Sequence, residues 1–369
     1  MKGRRWTING DFLGLAPNGV KRYAREITLA LDGLMKDRHE LTKDLEIELI
    51  SPVPPREDVS LDRIGFRFVK EYNKPRLPQF WVQSQLPFYI NGGLLSFCNL
   101  APVITRKQII CIHDLQSKLM PESYGFFFRL ANSFILPLLG RGGATITTVS
   151  EFSRQHLVQS GIASPAKIFV TYNGSDHALR WLPENGTLDL DSVKPFVICL
   201  GRAQKYKNTD LFWKIAGDLD AIGVDILMAG DMKKTNFDTL GSCRPGNLRF
   251  LGRIGDDDFA QALSKALCFL LPSRIEGFGL PAVEAMALGC PVVASTSPCL
   301  PEVCGDAALY ADPDDLPAWV SAIARLKTDR KLRRDLIAAG RSRARDFSWR
   351  RIAENYLRLM LRIDTEPSP

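Results

Sequence analysis

Glu276 and Glu284 bracket a glycine-rich turn, Gly277-Phe278-Gly279-Leu280, with Pro281 directly after it. A carboxylate accepts two hydrogen bonds at once, which suits paired hydroxyls on a sugar or a ribose. A helix opening at Pro281 points its first backbone N–H groups at an anion such as phosphate. Upstream, Arg202 and Lys207 follow a separate apolar run. Lysine supplies a point charge and arginine a bidentate donor, the combination a diphosphate calls for. Solvated surface charge accounts for the same two residues equally well. Gly277 to Ala282 also fits the dinucleotide pattern G-x-G-x-x-A, which needs an acidic residue at the end of the following strand. Here that strand runs out in Ser295-Thr296-Ser297, and Pro298 and Pro301 put Glu302 in a loop. A nucleotide-sugar therefore fits better than a nicotinamide or flavin. A purely structural turn requires neither two glycines nor two glutamates.

The elements that carry these residues are short apolar runs alternating with helical patterns. Cys268-Phe269-Leu270-Leu271 reads as a buried strand, the helix from Pro281 closes at Gly289, and Pro291 to Ala294 starts the next strand. Phe196 to Leu200 is a strand leading into Gly201-Arg202, with a helix capped near Asn208. Val224 to Gly230 and Leu248 to Ile254 are further strands, and Asp256-Asp257-Asp258 opens a helix. The three aspartates suit either a metal or the positive end of the helix dipole. In the N-terminal half, strands fall at 5–9, 47–50, 66–69, 94–97 and 109–112, with an amphipathic helix over 20–34 and a short helix over 80–87. Gly19 lies at the first strand-to-helix turn, beside Lys21 and Arg22. His113-Asp114 directly follows a strand, where a histidine is either structural or a partner for a substrate hydroxyl. Ser150 suits a helix N-cap. Alternating strands and helices imply doubly wound sheets, whose ligands lie beyond the carboxyl ends of the strands.

Composition bounds the rest. The chain has 369 residues, 45% of them hydrophobic, enough for two cores. We place one domain at 1–182, a polar linker with Pro183 and Gly186 at 183–193, a second domain at 194–346 and a terminal helix at 347–364. Trp349, Ile352, Ala353, Tyr356, Leu357 and Met360 form that helix's apolar stripe. The net charge is +7, and 23 Lys and Arg stand against 18 Asp and Glu before residue 190. A basic half suits anionic lipid or phosphorylated substrates, and equally a soluble basic enzyme. Zinc-finger spacing and an RNP-like run are lacking, so nucleic acid is not an expected partner. Eight cysteines without C-x-x-C, and no signal peptide, point to a reduced cytoplasmic chain. The four dispersed histidines give no metal-site spacing. The most apolar stretch, 124–139, is interrupted by Arg129, Asn132 and Pro137, and reads as a core helix or one lying in a membrane interface.

Together, Glu276 to Glu284, Gly201-Arg202 with Lys207-Asn208, His113-Asp114, Val149-Ser150-Glu151 and Asn173-Gly174 resemble the family 4 glycosyltransferases. The resemblance implies an α/β fold of GT-B type, two doubly wound Rossmann-like domains facing an interdomain cleft. It implies transfer of a sugar from GDP-mannose or a UDP-sugar to an acceptor hydroxyl, with retention of configuration. On matching positions, Arg202 and Lys207 bind the donor diphosphate, Glu276 the transferred sugar and Glu284 the ribose. Gly277, Phe278, Gly279 and Leu280 supply backbone donors, His113 lies by the sugar, Gly19 contacts the donor, and Arg253 and Ile254 touch the base. This chain has one glycine at its first loop where many members have two. Neither a cofactor nor a metal is implied. The Cys98 to Pro102 run and the Trp81 region resemble bacterial surface-polysaccharide mannosyltransferases, which act on lipid-linked glycans at the inner face of the cytoplasmic membrane. The alternative reading is a non-catalytic nucleotide-sugar-binding protein of the same fold.

Overall fold

The structure, a computed structural model, describes residues 3–54, 59–72, 78–115, 126–191, 193–232 and 245–365, with backbone only at 126–129 and 131–132. The chain divides into two units, one made of Met1–Gly174 and Ser348–Pro369, the other of Ser175–Phe347.

The first unit is built on a seven-stranded sheet in the order β3-β2-β1-β4-β5-β6-β7. Its strands are β1 Arg4–Asn9, β2 Leu45–Ser51, β3 Gly65–Phe68, β4 Gly93–Ser96, β5 Gln108–Cys111, β6 Thr145–Thr148 and β7 Ile168–Val170. Every pairing is parallel. Central strands of such a sheet are covered on both faces, so β4 and β5 are buried at every residue and read as continuous apolar runs. Helices α1 (Gly19–Lys36), α2 (Phe126–Arg141) and α3 (Glu151–Gln159) connect them. Asn18 and Ser150 cap α1 and α3 by accepting from the backbone N–H groups of Lys21 and Ser153. The short helix expected over 80–87 is present as an irregular helical stretch, an α turn at Pro78–Phe80, a π turn at Trp81–Gln85 and a 3-10 turn at Leu86–Phe88. Pro87 lacks the N–H that would carry a regular helix on.

Helix α2 has a buried face and an exposed one. Leu136 and Leu139 join the core with Ile110, Ile146 and Leu157, while Leu130, Phe134 and Leu138 are 44, 65 and 50% exposed. The C-terminal helix, Trp349–Thr365, packs on α1 and buries all six stripe residues. Its Tyr356 hydroxyl meets Tyr23 at 2.9 Å and Thr147 at 2.7 Å. Among the described residues no helix is long and apolar enough to cross a membrane.

The second unit has a six-stranded parallel sheet in the order β10-β9-β8-β11-β12-β13. Its strands are β8 Phe196–Gly201, β9 Asp225–Gly230, β10 Leu248–Gly252, β11 Cys268–Leu271, β12 Val292–Ser295 and β13 Ala308–Ala311. Its helices include α4 (Asp210–Ala221), α5 (Asp256–Lys265), α6 (Leu280–Ala287) and α7 (Cys299–Cys304). The helix expected near Asn208 starts at Asp210, with Thr209 in the N-cap position; Asn208 itself closes the Lys205–Lys207 turn, left-handed at φ 52°, and its side chain donates to the Pro313 carbonyl at 3.0 Å. Glu302 lies in α7 rather than a loop, because Pro298 and Pro301 occupy the start of that helix, where no backbone N–H is needed.

The aspartates that open α5 hold a neighbouring segment. Asp257 accepts from the Leu182 N–H at 2.9 Å, and Asp258 accepts from the Thr187 N–H at 2.7 Å. These bonds keep Asp258 below the usual carboxylate range, the Thr187 N–H foremost. With Leu188 N–H on Gln261 at 3.0 Å, they dock residues 182–188 on α5.

Candidate active site

The order of the second sheet reverses between β8 and β11, the switch point at which open α/β sheets bind ligands beyond their carboxyl ends. Arg202 and Lys207 follow β8, and Glu276 to Leu280 follow β11. The Arg274 N–H donates to the Tyr206 carbonyl at 2.7 Å and ties these two connections together. Lys207 Nζ consequently donates to Glu276 Oε1 at 2.6 Å. The Glu276 side chain is 8% exposed and that of Lys207 25%. Thr209 Oγ1 donates to the Arg202 carbonyl at 2.8 Å and holds the turn between the two cations.

The ends of β8 and β9 approach so closely that both need glycine. Gly201 pairs with Gly230, which has φ +124°, and a Cβ on Gly230 would lie 2.3 Å from the Gly201 carbonyl oxygen. The residues that follow, Arg202 and Asp231, are thereby set side by side, and Arg202 Nη1 donates to Asp231 Oδ2 at 3.1 Å. Arg253, beyond β10, donates from Nε to the other Asp231 oxygen. That bond, helped by both arginine charges, holds Asp231 below the usual carboxylate range. Two expected ligands, Arg202 and Arg253, thus share a carboxylate that sequence reasoning did not single out. Ile254, next to Arg253, is half-buried.

The turn before α6 is set by Gly279, whose φ of +88° is the left-handed conformation that L side chains rarely adopt. A Cβ there would lie 2.5 Å from the Leu300 side chain. Gly277 and Phe278 are buried, and the Phe278 ring meets Phe347 edge-on at 5.3 Å. Glu284, one turn into α6, is 5% exposed, and its Oε1 lies 2.8 Å from His177 Nε2. His177 was not singled out from the sequence for any role.

In the first unit, Gly19 is the exposed first residue of α1, and a Cβ built there meets nothing. His113, after β5, is 5% exposed. Its Nε2 lies 2.8 Å from the Phe97 carbonyl, which only accepts, so Nε2 carries the hydrogen. Tyr23 packs edge-on against the ring at 4.8 Å. Burial lowers the imidazole pKa from 6.5 to about 4, and the Phe97 bond offsets part of the shift. A neutral imidazole at ordinary pH can hydrogen-bond a hydroxyl without adding charge.

Residues 186–343 match the family model of glycosyl transferases group 1. The matched segment is less than half of the chain and lies in the second unit. The O-antigen chain mannosyltransferase B of Escherichia coli is 44% identical over 106 residues, 29% of this chain and 28% of that protein. The O-antigen chain mannosyltransferase RfbU of Salmonella typhimurium is 27% identical over 231 residues, 60% of this chain and 61% of that one. Both alignments span less than two-thirds of the relative's length. Among solved structures, HepE from Anabaena, in complex with UDP and glucose, superposes with a TM-score of 0.68 at 15% identity, covering 97% of this chain and 99% of that one. At that identity the likeness concerns the fold alone. The fold is α/β of GT-B type, and the sequence resembles that of surface-polysaccharide mannosyltransferases.

Proposed function

We propose that this chain is a retaining, family 4 glycosyltransferase that moves a hexose from a nucleoside-diphosphate sugar to a hydroxyl of a lipid-linked glycan in polysaccharide biosynthesis. The observation that carries the reading is the convergence of Arg202, Lys207 and Glu276 at the switch point of the second sheet. Arg202 and Lys207 stabilise the charge that develops on the departing diphosphate, each such contact contributing about 3–4 kcal/mol in the transition state. Backbone N–H groups of Gly277 to Leu280 add to that stabilisation at the start of α6. Glu276 orients the transferred sugar through its hydroxyls, and Glu284 holds the ribose. Arg253 and Ile254 are assigned to the base, Gly19 to the donor, and His113 to a sugar hydroxyl. The donor is GDP-mannose or a UDP-sugar: the O-antigen mannosyltransferase relatives favour the first, and the UDP-bound neighbour the second.

The reading includes peripheral contact with the inner face of the cytoplasmic membrane. Between residues 72 and 175 the sequence has nine Lys and Arg but three Asp and Glu. The same region carries the exposed Leu130, Phe134 and Leu138 on α2, and Ile104 at 74% exposure. A basic sequence segment with exposed apolar side chains suits anionic headgroups and an apolar boundary. Incubating the protein with each nucleotide sugar and a lipid-linked acceptor, then reading the anomeric configuration of the product, tests the activity. A product with the donor's configuration is expected. Nucleotide binding without turnover on any acceptor would favour the non-catalytic alternative.

A further inference from the structure

We infer that His177 is a positioning residue for ribose recognition, acting through Glu284; the inference rests on the donor-site reading above. Sequence separation hides the pair, since the two residues stand 107 positions apart. The side chains are 1% and 6% exposed and meet at 2.8 Å. A carboxylate only accepts, so His177 Nε2 carries the hydrogen of this bond. The imidazole is fixed from behind. Ser175 anchors the start of the 3-10 turn Asp176–Arg180 through its N–H to the Phe347 carbonyl at 2.9 Å and its Oγ to the Ala344 carbonyl at 2.8 Å. Trp181 meets the His177 ring edge-on at 5.4 Å, and Trp181, Phe259 and Phe269 follow one another to β11. The histidine therefore has little freedom, and it passes that rigidity to one carboxylate oxygen.

The consequence is directional. With Oε1 held by Nε2, the plane of the carboxylate is set, and so is the direction in which its remaining lone pairs face a ligand. Glu284 recognises a ribose hydroxyl well only if that direction is kept. A substitution at His177 should therefore reduce discrimination between ribose and 2′-deoxyribose rather than abolish nucleotide binding.

The test is calorimetric titration of the full chain with UDP, GDP and their 2′-deoxy counterparts, in wild type, His177→Phe, His177→Gln and Glu284→Gln. Thermal unfolding of each variant checks the fold, and phenylalanine keeps the ring against Trp181. Wild type should prefer the ribonucleotide roughly tenfold, the worth of a hydrogen bond to a charged acceptor. His177→Phe should bring the ratio to within about twofold while the 2′-deoxynucleotide binds as before, as follows if only that bond is weakened. His177→Gln, whose amide nitrogen can stand in for Nε2, should restore most of the preference. Loss of the preference in Glu284→Gln but not in His177→Phe overturns the inference and leaves the donor site standing. Equal wild-type affinity for both sugars also overturns it, because the 2′-hydroxyl is then not read by Glu284. A wild type that binds no nucleotide overturns the donor-site reading as well.

Discussion

Neutral, buried His113 should make the protein less stable in mild acid by a calculable amount. In the unfolded chain its imidazole takes up a proton near pH 6.5, and in the folded protein only near pH 4. Between those values the unfolded state binds more protons, so stability falls as pH falls. The shift of about 2.5 units corresponds to about 3 kcal/mol once pH is below both values, and to about 2 kcal/mol between pH 7 and pH 5. Urea unfolding of wild type and His113→Gln at the two pH values isolates the effect, because the other three histidines are common to both. The glutamine amide can still donate to the Phe97 carbonyl, so the variant keeps that bond without the titration. Wild type should lose about 2 kcal/mol more than the variant on going to pH 5. Equal losses in the two proteins, or an imidazole seen by NMR to titrate near pH 6.5, would refute the reasoning.

Two further outcomes follow from single features. Gly279→Ala should destabilise the protein by about 1–2 kcal/mol from its backbone conformation alone, and weaken UDP or GDP binding measured by calorimetry, because the turn that presents the α6 N-terminus is displaced. Phe134→Glu on the exposed face of α2 should leave the unfolding midpoint nearly unchanged, as surface substitutions do within about 0.5 kcal/mol. It should also lower sedimentation with anionic vesicles at low salt; undiminished sedimentation would remove that face from the membrane contact.

Much of the fold was legible because parallel sheets bury both faces and leave short apolar runs, as at β4, β5 and β11. Caps such as Asn18 and Ser150 were legible because their hydrogen bonds reach only three residues along the chain. Contacts between distant segments were not. The Asp231 bridge between Arg202 and Arg253, and the pairing of His177 with Glu284, depend on which strand ends lie side by side. The acidic opening of α5 illustrates the same limit. Its composition suited a metal or a dipole, whereas Asp257 and Asp258 accept from backbone N–H groups about seventy residues away, a separation no local pattern encodes.

The central claim is that Arg202 and Lys207 hold a donor diphosphate beside Glu276. The most direct measurement is titration of wild type, Arg202→Ala and Lys207→Ala with UDP, GDP and ADP, with and without EDTA. One nucleotide family should bind, unaffected by EDTA, and each substitution should weaken it by about tenfold or more, the worth of a charge-assisted hydrogen bond. Unchanged affinity in both variants, or no binding of any nucleotide to the wild type, would contradict the account.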